Sequence, residues 1–246
     1  MALDWRVVTC VTLVVMSGAM VMRWCSAEIY DAVIVGMTRE WYKAVLGRIP
    51  EGSRVLDVGI GTAGALLQHK GTLLRKNITV VGVDVDAAYV RAASARVWEE
   101  GVQERVVVFE KSVYDDEALL ALAGPRAFDA VYFSGSFSLL PDPQAALDVA
   151  ALVLNPGGRI YITQTYQTMR IPFLHLLKPS LGTLTTIDFG RLVYADEMSD
   201  FFHRCGLSVM EHDILPNSVH NIFQSAYITV LAPSPTDISP SNTRAE

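Results

Sequence analysis

The stretch SRVLDVGIGTAGALLQ, Ser53 to Gln68, sets Gly59, Gly61 and Gly64 in a G-x-G-x-x-G spacing. Glycine there lets the chain turn sharply and lets a ligand approach the main chain with no side chain in the way. An acidic residue, Asp84, closes the next Val-rich run, VVGVDVD, where a carboxylate can accept hydrogen bonds from both hydroxyls of a ribose. The pattern points to a nucleotide-like ligand; a glycine turn that binds nothing is the plain alternative. A second carboxylate, Asp57, precedes the first glycine. It would repel the pyrophosphate of a dinucleotide, whereas it suits a ligand bearing an amino group and a sulfonium. Asp86 is a weaker candidate, since it opens the next helix and could serve only as its cap.

These residues need a scaffold that brings them to one edge. Val- and Ile-rich runs at 54–58, 78–84, 105–110, 128–134 and 158–163 alternate with helix-like stretches at 63–75, 87–100, 115–123 and 143–154. Continuous apolar strands alternating with helices predict an α/β fold with a doubly wound, mostly parallel sheet covered on both faces. In such a sheet ligands bind beyond the carboxyl ends of the strands, which is where the glycine loop falls. A helix ahead of the first strand ends at Pro50-Glu51-Gly52. A further helix is expected near 196–205, with strands near 207–212 and 224–231. The strand–helix alternation lapses over 166–195, which reads as an insertion.

With these elements in place the motifs resemble those of the class I S-adenosylmethionine-dependent methyltransferases. VLDVGIGTAG is similar to the family's first motif and VVGVDVD to its second-strand motif. FDAVYFSGSFSLLPD (128–142) resembles the fourth-strand motif, and LNPGGRIYITQT (154–165) the turn and fifth strand. The resemblance covers roughly residues 54–165 and implies a seven-stranded Rossmann-like sheet with S-adenosylmethionine as methyl donor. It places Gly59, Gly61 and Thr62 along the donor's methionine part with Asp57 beside them, and Asp84 with Val85 at the ribose. Ser112 and Val113 fall where the family often has an Asp and a small residue against adenine. Serine replaces that acid here, leaving the Val113 backbone N–H as the adenine contact. Ser134, Gly135 and Ser136 follow the fourth strand, where the family brings the activated methyl group near the acceptor.

Methyl transfer from a sulfonium mainly requires alignment of a nucleophile and exclusion of water, and orientation alone can contribute on the order of 7–11 kcal/mol. A base matters when the acceptor is a hydroxyl or a carbon acid. His175 and His220 are the candidates, with Tyr166 as a substrate contact beside Tyr30 and Tyr194. An ordinary structural role is the competing reading for each. No metal-binding spacing accompanies them, and Cys10, Cys25 and Cys205 are too scattered for a zinc site or a disulfide framework.

The remaining sequence bears on partners. A net charge of −6 argues against a nucleic-acid binder, which needs a basic surface. Between Arg6 and Arg23 no residue is charged, and Trp5 and Trp24 flank the run. Residues 1–26 therefore read as a membrane anchor, with a cleaved signal peptide or a buried helix as alternatives. Residues 27–232 form the catalytic domain, expected to face the cytosol, and the Pro/Ser-rich 233–246 a disordered tail. The apolar, mildly basic insertion over 166–195 suggests a cover for a small hydrophobic or lipid-like acceptor. An NAD(P)-dependent oxidoreductase, a non-catalytic donor-binding module and a protein methyltransferase are the rival readings. The position of Asp57 and the NPGG turn at 155–158 speak against the first.

Overall fold

The computed structural model describes residues 35–124, 127–168 and 193–233. The chain enters through helix α1 over residues 35–48, which stops at Pro50. Strand β1 (Arg54–Val58) then leads into the glycine loop and two short helices, α2 (Gly64–Leu67) and α3 (Lys70–Arg75). The alternation continues through β2 (Thr79–Asp84), α4 (Ala87–Glu99), β3 (Val106–Glu110), α5 (Asp116–Ala123), β4 (Phe128–Ser134), α6 (Pro143–Leu152) and β5 (Leu154–Gln167). Helix α7 (Ala195–Arg204) and strands β6 (Ser208–Ile214) and β7 (Gln224–Ala232) complete it.

Seven strands form one sheet in the order β3-β2-β1-β4-β5-β7-β6. The first five are parallel, and β7 runs antiparallel to both neighbours. The order reverses between β1 and β4, which opens a crevice at their carboxyl ends. Each face buries its own core. Trp41 and Val45 of α1 and Ile49 just after it pack with Val55, Val80 and Tyr132 on one side. Leu56, Val58, Val131, Phe133 and Ile162 pack with Leu147 of α6 and Phe202 of α7 on the other. Odd and even residues of one strand thus belong to different cores, as the pleat demands.

Asp86, Asp115 and Asp142 cap the helices that follow them, each accepting backbone N–H groups through its carboxylate. Two expectations are corrected. The stretch 63–75 is not one helix: it breaks at Gln68–His69, where His69 leaves helical geometry at φ −107° and its imidazole bonds the Arg39 carbonyl of α1, 2.9 Å away. The fifth strand runs well past residue 163, because Gln164–Gln167 pair with Gln224–Tyr227 of β7. The expected insertion therefore begins inside a strand at Tyr166; residues 169–192 lie outside the described residues, as do 1–34 and 234–246.

Candidate functional site

Five strand ends and the loops beyond them build the site. At the end of β1 the chain turns through Gly59 and Gly61, both at positive φ (+74° and +59°). Gly59 is required twice over. Its φ is one that L side chains rarely adopt, and a Cβ in its place would lie 2.5 Å from Ser136 Cβ; its N–H bonds the Val83 carbonyl at 2.8 Å. At Gly61 the space beyond the missing Cβ is open. Between them Ile60 turns inward and rests on Gly82 of β2, where a Cβ would meet its Cδ1 at 2.5 Å. The glycine in the middle of a Val-rich strand is what seats the loop.

Asp84 ends β2 facing this loop. Its Oδ2 accepts the Gly61 N–H and its Oδ1 the Asp86 N–H, both at 2.9 Å. A carboxylate oxygen has two acceptor positions, so each keeps one for a further donor. A fixed carboxylate with a spare lone pair on both oxygens fits a vicinal diol. Val85 beside it is exposed, and the Lys111 N–H bonds the Asp84 carbonyl, bringing Ser112 and Val113 alongside. Ser112 spends its hydroxyl on the Tyr114 N–H, and the Val113 side chain enters the core. Thr62 accepts a hydrogen bond from Arg96 of α4, 2.7 Å away, which holds the loop to that helix.

Asp57, at the end of β1, is buried. Its side chain is 1% exposed and lies under α1, where the Tyr42 hydroxyl donates to Oδ2 at 2.8 Å. Oδ1 is buried with no hydrogen-bond partner among the described residues. Burial pushes this carboxyl up to about 7, against the opposing effect of the Tyr42 bond and with some help from the charge of Asp84. On β4, Tyr132 shares a hydrogen bond with Thr163, and its ring meets Tyr42 edge-on at 5.1 Å. Ser134 ends that strand, and Gly135 follows at φ +73° with its N–H on the Thr163 carbonyl. The Ser136 hydroxyl reaches back to the Val58 carbonyl at 2.5 Å.

The opposite wall is the loop between β6 and β7. Trp41 of α1 comes within 3.3 Å of where a Gly135 Cβ would be, and its indole N–H donates to Ser218 Oγ at 2.7 Å. One side chain thus joins the β4 end to the β6–β7 loop. Within that loop His220 Nδ1 and Ser225 Oγ share a hydrogen bond of 2.8 Å. Ser225 stands opposite Tyr166 across the β5–β7 register, which relates His220 to Tyr166 through Ser225. The Tyr166 ring is fully buried against Tyr227 and His212, and burial alone drives its phenol far above the usual range. It is suited to donate a hydrogen bond and not to act as a base. His175 lies outside the described residues. Sequence reasoning missed Trp41, Tyr42 and Ser218; Gly82 carried a readable signal, as a glycine inside a strand.

Residues 55–158 match the family model described as a methyltransferase domain. Over that stretch the chain is similar to a methyltransferase domain. A ubiquinone biosynthesis O-methyltransferase from Xylella fastidiosa (strain 9a5c) is 33% identical over 123 residues, 50% of this chain and 46% of that protein. The chain thus spans about half the length of the curated relative it matches. An S-adenosylmethionine-dependent methyltransferase from Geobacter sulfurreducens, in complex with S-adenosylhomocysteine, superposes with a TM-score of 0.57 at 17% identity, covering 80% of this chain and 90% of that one. The [4+2]-cyclase SpnF superposes with a TM-score of 0.60 at 17% identity, covering 79% and 81%. At these identities the superpositions establish the fold, and the chemistry has to come from the site.

Proposed function

We propose that the protein transfers a methyl group from S-adenosylmethionine to an oxygen of a small hydrophobic or lipid-like acceptor. The observation that carries the donor half is the Gly61–Asp84 pair: a backbone opened by glycine beside a carboxylate held by two N–H groups with an acceptor position left on each oxygen. Asp84 would hold the ribose, the Gly59–Gly61 turn the methionine part, and the 111–113 segment the adenine edge. The bound donor supplies an electrophilic methyl group, already activated by its sulfonium. The protein's own residues then have to orient the acceptor and manage its proton. His220 fits the second task, since Nδ1 is occupied by Ser225 while Nε2 has no partner among the described residues. The oxygen acceptor is favoured by the curated O-methyltransferase relative.

The apolar N-terminal run and the apolar 166–195 stretch support an acceptor drawn from a membrane, with residues 1–26 as anchor and the domain on the cytosolic side. No helix among the described residues is long and apolar enough to cross a membrane. Calorimetric titration with S-adenosylmethionine, S-adenosylhomocysteine and NAD(P)H tests the donor: the first two should bind and the dinucleotides should not. Donor consumption over a panel of phenols, quinols and lipids then tests the acceptor. Turnover of none of these, with donor binding intact, would leave only a binding module. Membrane fractionation with and without residues 1–26 tests the anchor.

A further inference from the structure

We propose that Tyr42 is a positioning residue whose phenol, delivered by α1, holds the Asp57 carboxylate ready for the ammonium of an aminoacyl ligand and so sets the pH range in which such a ligand binds. This rests on the reading that the domain takes S-adenosylmethionine. The geometry is specific. Tyr42 and Asp57 are both buried, 2.8 Å apart, and the second carboxylate oxygen has no partner among the described residues. The groups that act on Asp57 are Tyr42 from α1 and Asp84 at the end of β2, and Asp57 in turn acts on Tyr132 of β4. None of these is a cation. Among the described residues an ionised Asp57 is therefore a buried anion with one hydrogen bond and no counter-charge, an arrangement that the carboxyl resists by holding its proton to about pH 7.

A ligand with an ammonium at the head of the glycine loop would supply the missing charge. S-adenosylmethionine and S-adenosylhomocysteine both carry one. 5′-Methylthioadenosine has the same nucleoside and a thioether but no amino acid. If the ammonium binds only the ionised carboxyl, affinity falls about tenfold per pH unit once the pH drops below the carboxyl's midpoint. The Tyr42 hydrogen bond favours the anion, so removing it moves the midpoint upward. Tyr42 lies on the same helix as Trp41, which joins Gly135 to Ser218, so the seating of α1 and the charge on Asp57 are mechanically linked.

The test is calorimetric titration of the full chain with S-adenosylhomocysteine and with 5′-methylthioadenosine, between about pH 5.5 and pH 8.5, for the wild type, Tyr42→Phe and Asp57→Asn. In the wild type the homocysteine ligand should weaken about tenfold from pH 8 to pH 6 while the thioether stays flat. In Tyr42→Phe the midpoint should rise by about one pH unit, making the homocysteine ligand about fivefold weaker near pH 7 and nearly unchanged at pH 8.5. Asp57→Asn should bind it weakly with no pH dependence and keep the thioether, a result that stands even if Tyr42→Phe fails to fold. Equal weakening of both ligands in Tyr42→Phe, or a wild-type pH profile in either variant, would overturn the proposal. Binding of neither ligand by the wild type would overturn the donor assignment beneath it, and the proposal with it.

Discussion

Replacing Asp57 by Asn should shift the stability of the ligand-free protein, relative to the wild type, in the variant's favour by an amount that grows with pH. In the fold this carboxyl titrates at about 7, against an ordinary value of 3.8. The native state thus keeps a proton that the unfolded chain gives up, and stability from this group falls as the pH rises from about 4 through about 7. Each unit of difference is worth about 1.4 kcal/mol, so the full cost approaches about 4 kcal/mol at alkaline pH. Between pH 5 and pH 8 the wild type should lose roughly 2.5 kcal/mol through Asp57 alone. Asparagine keeps an acceptor for the Tyr42 hydroxyl and never ionises. Its amide leaves a buried donor short of a partner, a penalty of about 1–3 kcal/mol that does not vary with pH. The decisive quantity is therefore the change in the stability difference between two pH values, not the difference at either. Urea denaturation of both proteins at pH 5 and pH 8 measures it. The variant should gain roughly 2–3 kcal/mol on the wild type between the two; parallel behaviour would show that Asp57 does not titrate as its burial requires, and the charge-supply reasoning for the site would go with it.

Other substitutions separate the parts of the site. Gly59→Ala puts a Cβ 2.5 Å from Ser136 Cβ at a positive φ, so donor binding should be lost and thermal unfolding should come several degrees lower, roughly what a cost of 1–3 kcal/mol brings. Asp84→Asn should weaken S-adenosylhomocysteine and 5′-methylthioadenosine alike, by about 10- to 100-fold in calorimetry, because both carry the ribose. His220→Gln should lower kcat on a hydroxyl acceptor by about 10²- to 10⁴-fold with the donor's Kd unchanged; an unchanged kcat would remove His220 from the proton path.

What could be read from the sequence follows the range of the forces involved. The boundaries of β4, read as 128–134, needed only its own apolar run, because a parallel strand covered on both faces is apolar along its length. The polar end of β5, Gln164 to Gln167, gave no such signal, since its strand character comes from β7, some sixty residues later. The break at His69 is tertiary as well: a hydrogen bond to α1 replaces a turn of helix that the local residues would support. In the site, the glycines were legible because their constraint is a backbone constraint, carried by a few neighbouring residues. The burial of Asp57 was not. A carboxylate at the end of a strand reads as solvent-facing until it is known that an upstream helix lays a tyrosine over it.

Helix α1 ties the end of β1 to the β6–β7 loop. Successive residues of an α-helix point about 100° apart, so Trp41 and Tyr42 at one level of α1 can address different strands. Tyr42 goes to the end of β1, and Trp41 to the turn after β4 and onward to the β6–β7 loop. Neither contact is a surface contact: both rings are almost fully buried, and breaking one leaves a polar group unpaired in the core. The position of the loop that carries His220 is therefore set by the same rigid element that seats the motif carboxylate.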